Sequence, residues 1–150
     1  EEEKKFVLAI EQIDLVRRDE KKTEDRWGEL SQRIAGLYLI DGQEPLAMKE
    51  YENMLAKLPV RDLWRTTAAV RLGELYEKAE RWKDAVKIYD ALTREAAKPE
   101  TAQAARSRIE YVQANHPEAF QASSKGSGAK ETVQKESSAQ QPKEQLKKER

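Results

Sequence analysis

The chain resembles itself at one fixed distance. Ala35 and Gly73, Tyr38 and Tyr76, Ala47 and Ala85, and Tyr51 and Tyr89 each stand 38 positions apart. The small residue, the first tyrosine, the alanine and the second tyrosine therefore keep the same separations in both copies. A constant period of this size means that one supersecondary unit is used more than once, because such a unit buries its apolar face only against a neighbour of its own kind.

The pattern inside each copy is that of a helical hairpin. Ala69, Leu72 and Tyr76 recur at i, i+3 and i+7, which predicts a first helix over about 66–79. Glu80-Arg81 is the turn, and Trp82, Ala85, Val86 and Tyr89 form the stripe of a second helix reaching about 96. Glycine inside a helix is unfavourable by about 1 kcal/mol relative to alanine, so Gly73 must be there for space, with Ala85 of the facing helix as its expected neighbour. Ala35 and Ala47 are expected to meet likewise. Asp41-Gly42 ends the first helix of the earlier copy through a left-handed cap, and Pro45 opens the next helix, where its missing N–H does no harm.

These residues resemble the tetratricopeptide repeat, W-x2-L-G-x2-Y…A-x3-F…P with a period of about 34 residues. The chain reads Ser31-x2-Ile34-Ala35-x2-Tyr38…Ala47-x3-Tyr51…Pro59 and then Ala69-x2-Leu72-Gly73-x2-Tyr76…Ala85-x3-Tyr89. It departs in its longer period, in Met54 and Leu92 where the family prefers alanine, and in Ser31 and Ala69 where the family has tryptophan. The extra residues are expected in Val60–Arg65, lengthening the link or the second helix of the first copy. The resemblance implies an all-α fold, with antiparallel hairpins stacked in a short right-handed superhelix whose concave groove is lined by first helices. The implied groove residues are Gln32, Arg33, Gly36, Leu39 and Ile40 from one copy and Val70, Arg71, Glu74, Glu77 and Lys78 from the other. One subclass of the family holds the C-terminal carboxylate of chaperone tails with lysine and asparagine. Gln32 and Gly36 occupy those positions here, so that role does not carry over. Leu39, Ile40 and Val70 among charges suit an amphipathic segment better.

The repeat region is read as 27–120, flanked by two zones of different character. In 1–26, Phe6, Ile10 and Ile13 share one helix face, and Leu8 and Leu15 share a second, so this helix wants neighbours on more than one side. Arg17–Arg26 has no apolar residue and reads as a loop or an exposed helical extension. After Pro99 a further helix to about 115, with Ala102, Ala105, Ile109 and Val112 as its apolar side, is expected to cap the last hairpin. The segment 121–150 holds only Val133 and Leu146 as large apolar residues and is expected to be disordered. The first residues, Glu1-Glu2-Glu3, read as a processed or trimmed start.

Composition removes most chemistry. Lys+Arg and Asp+Glu number 28 each, so the basic excess that phosphate backbones require is missing and no nucleic-acid partner is expected. The chain has no cysteine and a single histidine, which argues against thiolate nucleophiles and against Cys/His metal sites. His116, beside Pro117, is read as a capping or solvated residue, and Gly126-x-Gly128 lacks the following helix that phosphate binding needs. No apolar run is long enough to span a bilayer. The expectation is a protein without enzymatic activity, cofactor or metal, acting as a protein-interaction adaptor or scaffold. The alternative is a structural subunit, docked or self-associated through its N-terminal helix and open repeat end.

Overall fold

Both hairpins close their first helix in the same way. Gly42 and Glu80, one period apart, take left-handed φ values of 73° and 57°. The N–H of each following residue returns to a carbonyl five positions back, Gln43 to Tyr38 and Arg81 to Tyr76, both at 2.8 Å. The N–H groups of Gly42 and Glu80 themselves donate to Leu39 and Glu77 at 3.1 and 2.9 Å. This is the Schellman closure, which satisfies the last carbonyls of a helix while reversing the chain.

A computed structural model describes residues 2–20 and 25–121, and among them the chain is all-helical. In order come α1 (Glu2–Arg18), α2 (Asp25–Ile40), α3 (Glu44–Lys57), α4 (Leu63–Lys78), α5 (Trp82–Glu95) and α6 (Pro99–Asn115), then a short 3-10 turn over Pro117–Ala119. Helices α2 and α3 form one antiparallel hairpin, and α4 and α5 the next. Each remaining helix packs on its sequence neighbour, α1 on α2 and α6 on α5. The lengthening expected in Val60–Arg65 falls in the link, where Arg61 takes a left-handed φ of 68°, and in the first turn of α4, and not in the second helix of the first copy, since α3 ends at Lys57. That turn is capped by Asp62, whose side chain accepts from the Arg65 N–H at 2.9 Å.

The core runs along the hairpin seams. Ile34, Ala35, Ala47, Tyr51 and Met54 are buried in the first, and Leu72, Ala85, Tyr89 and Leu92 in the second. Met54 and Leu92, longer than the residues the family prefers, are thus fully used in packing. Gly73 does make a close approach, and the atoms nearest a Cβ placed there belong to the Tyr89 ring, the first at 2.5 Å. A flat ring lies against the bare backbone of the glycine. A second close approach lies between the hairpins, where a Cβ on Gly28 would stand 2.5 to 2.7 Å from Trp64.

Three further expectations change in the folded chain. Arg17 is not a solvated charge: it bonds Asp14 on its own helix, Ser31 on α2 and Glu50 on α3, and lies over the Trp27 ring. His116 caps α6 through its backbone N–H, as expected of a helix end, but its ring stacks on Trp82 with centroids 3.7 Å apart and is half-buried. Helix α1 finds a neighbour on one side only among the described residues, so Leu8 and Leu15 are 57% and 55% exposed. The disordered tail expected over 121–150 lies, except for Gln121, outside the described residues.

Candidate binding groove

Spacing between first helices decides where a groove can form. Helices α2 and α4 approach each other closely, because Gly28 offers no side chain and Trp64 packs onto its bare backbone. Helix α6 packs on α5 and makes no close backbone approach to α4. One period after Gly28 stands Thr66, and its side chain lines the space left open. The result is two adjoining hollows between α4 and α6, of about 730 and 500 Å³, sharing Val70, Glu74 and Thr101.

The larger hollow has an apolar bed of Val70, Tyr89, Leu92, Ala104 and Ala105 and is closed at one end by Trp82 and Tyr111. Its rims carry Glu74 and Lys78 on α4 and Ser107 and Arg108 on α6. The smaller hollow continues to Leu63, Arg61, Arg71 and Lys98, a basic end with Arg71 paired to Glu74 at 3.1 Å.

One side-chain cluster ties the walls together. Glu77 accepts from the Tyr89 hydroxyl at 2.5 Å, from Arg108 Nε at 3.0 Å and again from the Arg108 guanidinium. Glu77 is one of the residues that the resemblance implies for the groove. It lines the groove, yet as a buried-side acceptor joining α4, α5 and α6. Burial, together with the hydrogen bond to Glu77, pushes the Tyr89 phenol well above its ordinary value. Burial and the bond to Glu52, at 2.5 Å, do the same for Tyr76. Both phenols therefore stay protonated and serve as donors that lock helices, not as titrating acids or bases.

The ten residues implied by the resemblance separate into two groups. Val70, Glu74, Glu77 and Lys78 line the larger hollow and Arg71 the smaller. Gln32, Arg33, Gly36, Leu39 and Ile40 line neither. The Gln32 amide donates to the Tyr51 hydroxyl at 3.3 Å, Arg33 pairs with Glu29 at 2.6 Å, and Leu39 packs against the core. Nothing lies within 4 Å of a Cβ placed on Gly36, and Ile40 is exposed. The α6 wall, from Thr101 to Tyr111, escaped sequence reading because α6 was taken as a cap alone. The signal available was its placement after a second helix, which makes it the next first helix in the stack. Among the described residues no group of three or more acidic or histidine side chains is arranged to hold a metal, and no helix is long and apolar enough to cross a membrane.

No protein-family model, curated protein or solved structure matches this chain.

Proposed function

We propose that the chain is a tetratricopeptide-like interaction module that takes an amphipathic protein segment into the groove between α4 and α6. The observation that carries this reading is the groove itself: an apolar bed with charged rims, left open where α6 stands away from α4. A segment burying one apolar side chain there gains about 1.5–3 kcal/mol from that burial, and the rims select polar neighbours. Peptides selected by display against the full chain are the test. Ala104→Arg fills the bed from an exposed position and should weaken them at least about tenfold, whereas Gln113→Arg, at an exposed α6 position that lines neither hollow, should leave them unchanged. Selected peptides indifferent to Ala104→Arg would overturn the proposal.

A second reading, a subunit docked or self-associated through α1, draws on the uncovered Leu8 and Leu15. Solution mass across a concentration series tests it, since an assembly part grows with concentration and a free module does not.

A further inference from the structure

Along the groove, charges are paired everywhere except at one end. In the larger hollow Glu77 is bonded by Arg108 and Tyr89, and Lys78 pairs with Glu44 of α3. Where the two hollows join, Glu74 pairs with Arg71. The smaller hollow then adds Arg61 and Lys98, both exposed and neither in an ion pair among the described residues. The carboxylates close to them in sequence do not answer them: Asp62 caps α4, Glu95 pairs with Arg65, and Glu100 lines neither hollow. The two carboxylates that line the groove, Glu74 and Glu77, are thus both engaged, while two of its cations are not.

This imbalance is local. Residues 122–150 hold seven of the 28 basic and four of the 28 acidic residues, so the rest of the chain carries 21 against 24 and is acidic overall. A segment bearing carboxylates is therefore drawn to this end of the groove and not to the helical region at large. Residues 122–150 themselves are a poor match for it. Each of their carboxylates, Glu131, Glu136, Glu144 and Glu149, stands directly beside a lysine, so they offer no run of negative charge. Leu63, 60% exposed in the smaller hollow, continues the apolar floor up to the two cations.

We propose that the occupant of the groove is an acidic amphipathic protein segment of fixed polarity, with apolar side chains in the larger hollow and carboxylate side chains at Arg61 and Lys98. The inference rests on the groove reading and deepens it, by naming the charge of the segment and its direction along α4. Helix α4 is about 22 Å long, so a segment that spans both hollows has about 15 residues as a helix. The apolar contacts hold the segment, and the cations set which way it lies.

The probes are peptides selected by display against the full chain from a library of about 15 random positions, resynthesised with amidated C-termini so that only side-chain carboxylates count. Asp and Glu are expected on one side of an apolar cluster. Binding should fall about tenfold in the double variant Arg61→Glu with Lys98→Glu at low ionic strength, and less in about 0.5 M salt. Glu80 already takes the left-handed conformation of Arg61, so the reversal adds no new backbone strain. Lys49→Glu with Lys87→Glu moves the net charge equally at exposed positions outside both hollows and should leave binding unchanged. Peptides weakened by Ala104→Arg that lack the acidic bias, or that bind the reversed and control variants equally, would overturn this inference and leave the groove reading standing. Indifference to Ala104→Arg would overturn both. A synthetic peptide of residues 122–150 that displaces the selected peptides would assign the groove to the chain's own segment and overturn it too.

Discussion

Where α1, α2 and α3 meet, Arg17 donates to Ser31 Oγ at 2.9 Å and to Glu50; where α3, α4 and α5 meet, one period later, the same three positions hold Leu55, Ala69 and Ile88. The apolar trio lines one small hollow of about 120 Å³ and needs no particular orientation to be stabilising. The polar trio works only when complete, because the Arg17 and Glu50 side chains are only 14% and 12% exposed and water cannot replace a missing partner. The same backbone register thus accepts either solution. The difference is in how each fails: an apolar contact weakens gradually with lost area, while a half-removed ion pair strands a charge.

The largest effect expected concerns the spacing that both junctions share. Gly28→Ala sets a Cβ against Trp64, and the atoms it meets include the Trp64 Cβ at 2.7 Å, which no rotamer change can move away. Helices α2 and α4 must separate, at about 3 kcal/mol, the upper end of overpacking costs. Denaturant unfolding measures this. A loss under half that size would mean that Gly28 does not set how the two junctions stack.

The comparison itself is broken by changing one member of the polar trio. Glu50→Ile alone should cost about 2–3 kcal/mol, somewhat less than full burial would give, because Arg17 loses its carboxylate while keeping Asp14. Transplanting the whole apolar set, Arg17→Leu with Ser31→Ala and Glu50→Ile, should be neutral or stabilising by about 1 kcal/mol or more. If the triple variant is as unstable as the single one, the two junctions are not interchangeable. Acid separates them as well. Burial alone would raise the Asp14 pKa, but hydrogen bonds from Arg17 and Arg18 outweigh it and hold the carboxyl below its usual range. The stability this contributes is present above the ordinary carboxylate pKa and is lost as pH falls through the depressed folded value. Amide exchange in α1 should therefore accelerate in acid before exchange in α5 does.

Gly73→Ala tests the inner seam of the later hairpin. Its Cβ meets the far end of the Tyr89 side chain, which is pinned by Glu77. Overpacking should exceed the helix-propensity gain of about 1 kcal/mol and leave a net loss of about 1–2 kcal/mol. Ala35, at the same position of the earlier hairpin, already carries its Cβ and is fully buried. An unchanged thermal midpoint would show that Tyr89 yields as its counterpart Tyr51 does.

Helix boundaries, the two hairpins and most of the core were readable because helix spacing, turn residues and the fixed period are local properties of the sequence. What lay beyond reach was set by pairs distant in sequence. Gly73 signalled a close approach, but only the fold shows that Tyr89 fills it. Gly28 gave no sign of Trp64, which comes from another hairpin. The α4 wall of the groove was legible through the resemblance, whereas the α6 wall depends on α6 standing off from α4, a distance that periodicity does not encode. Glu77 was legible as a groove residue through the resemblance, but its partners were not. Arg108 and Tyr89 converge on it from two other helices.

The smallest effect expected is also the most symmetric. Gly42 and Glu80 occupy the same left-handed position of the same cap, and only one of them is a glycine. For an L-residue this conformation costs about 1–2 kcal/mol, and part of that is offset because a side chain restricts the unfolded chain more than glycine does. Glu80→Gly should therefore stabilise the later hairpin by about 0.5–1 kcal/mol, while Gly42→Ala should destabilise the earlier one by about 1 kcal/mol. Glu80 makes no side-chain ion pair among the described residues, so its removal strands no partner. Matched unfolding curves of the two variants read the cap alone. Shifts of the same sign would mean that the turns differ in more than the residue they carry, and that the period is kept by the packed seams and not by the turns.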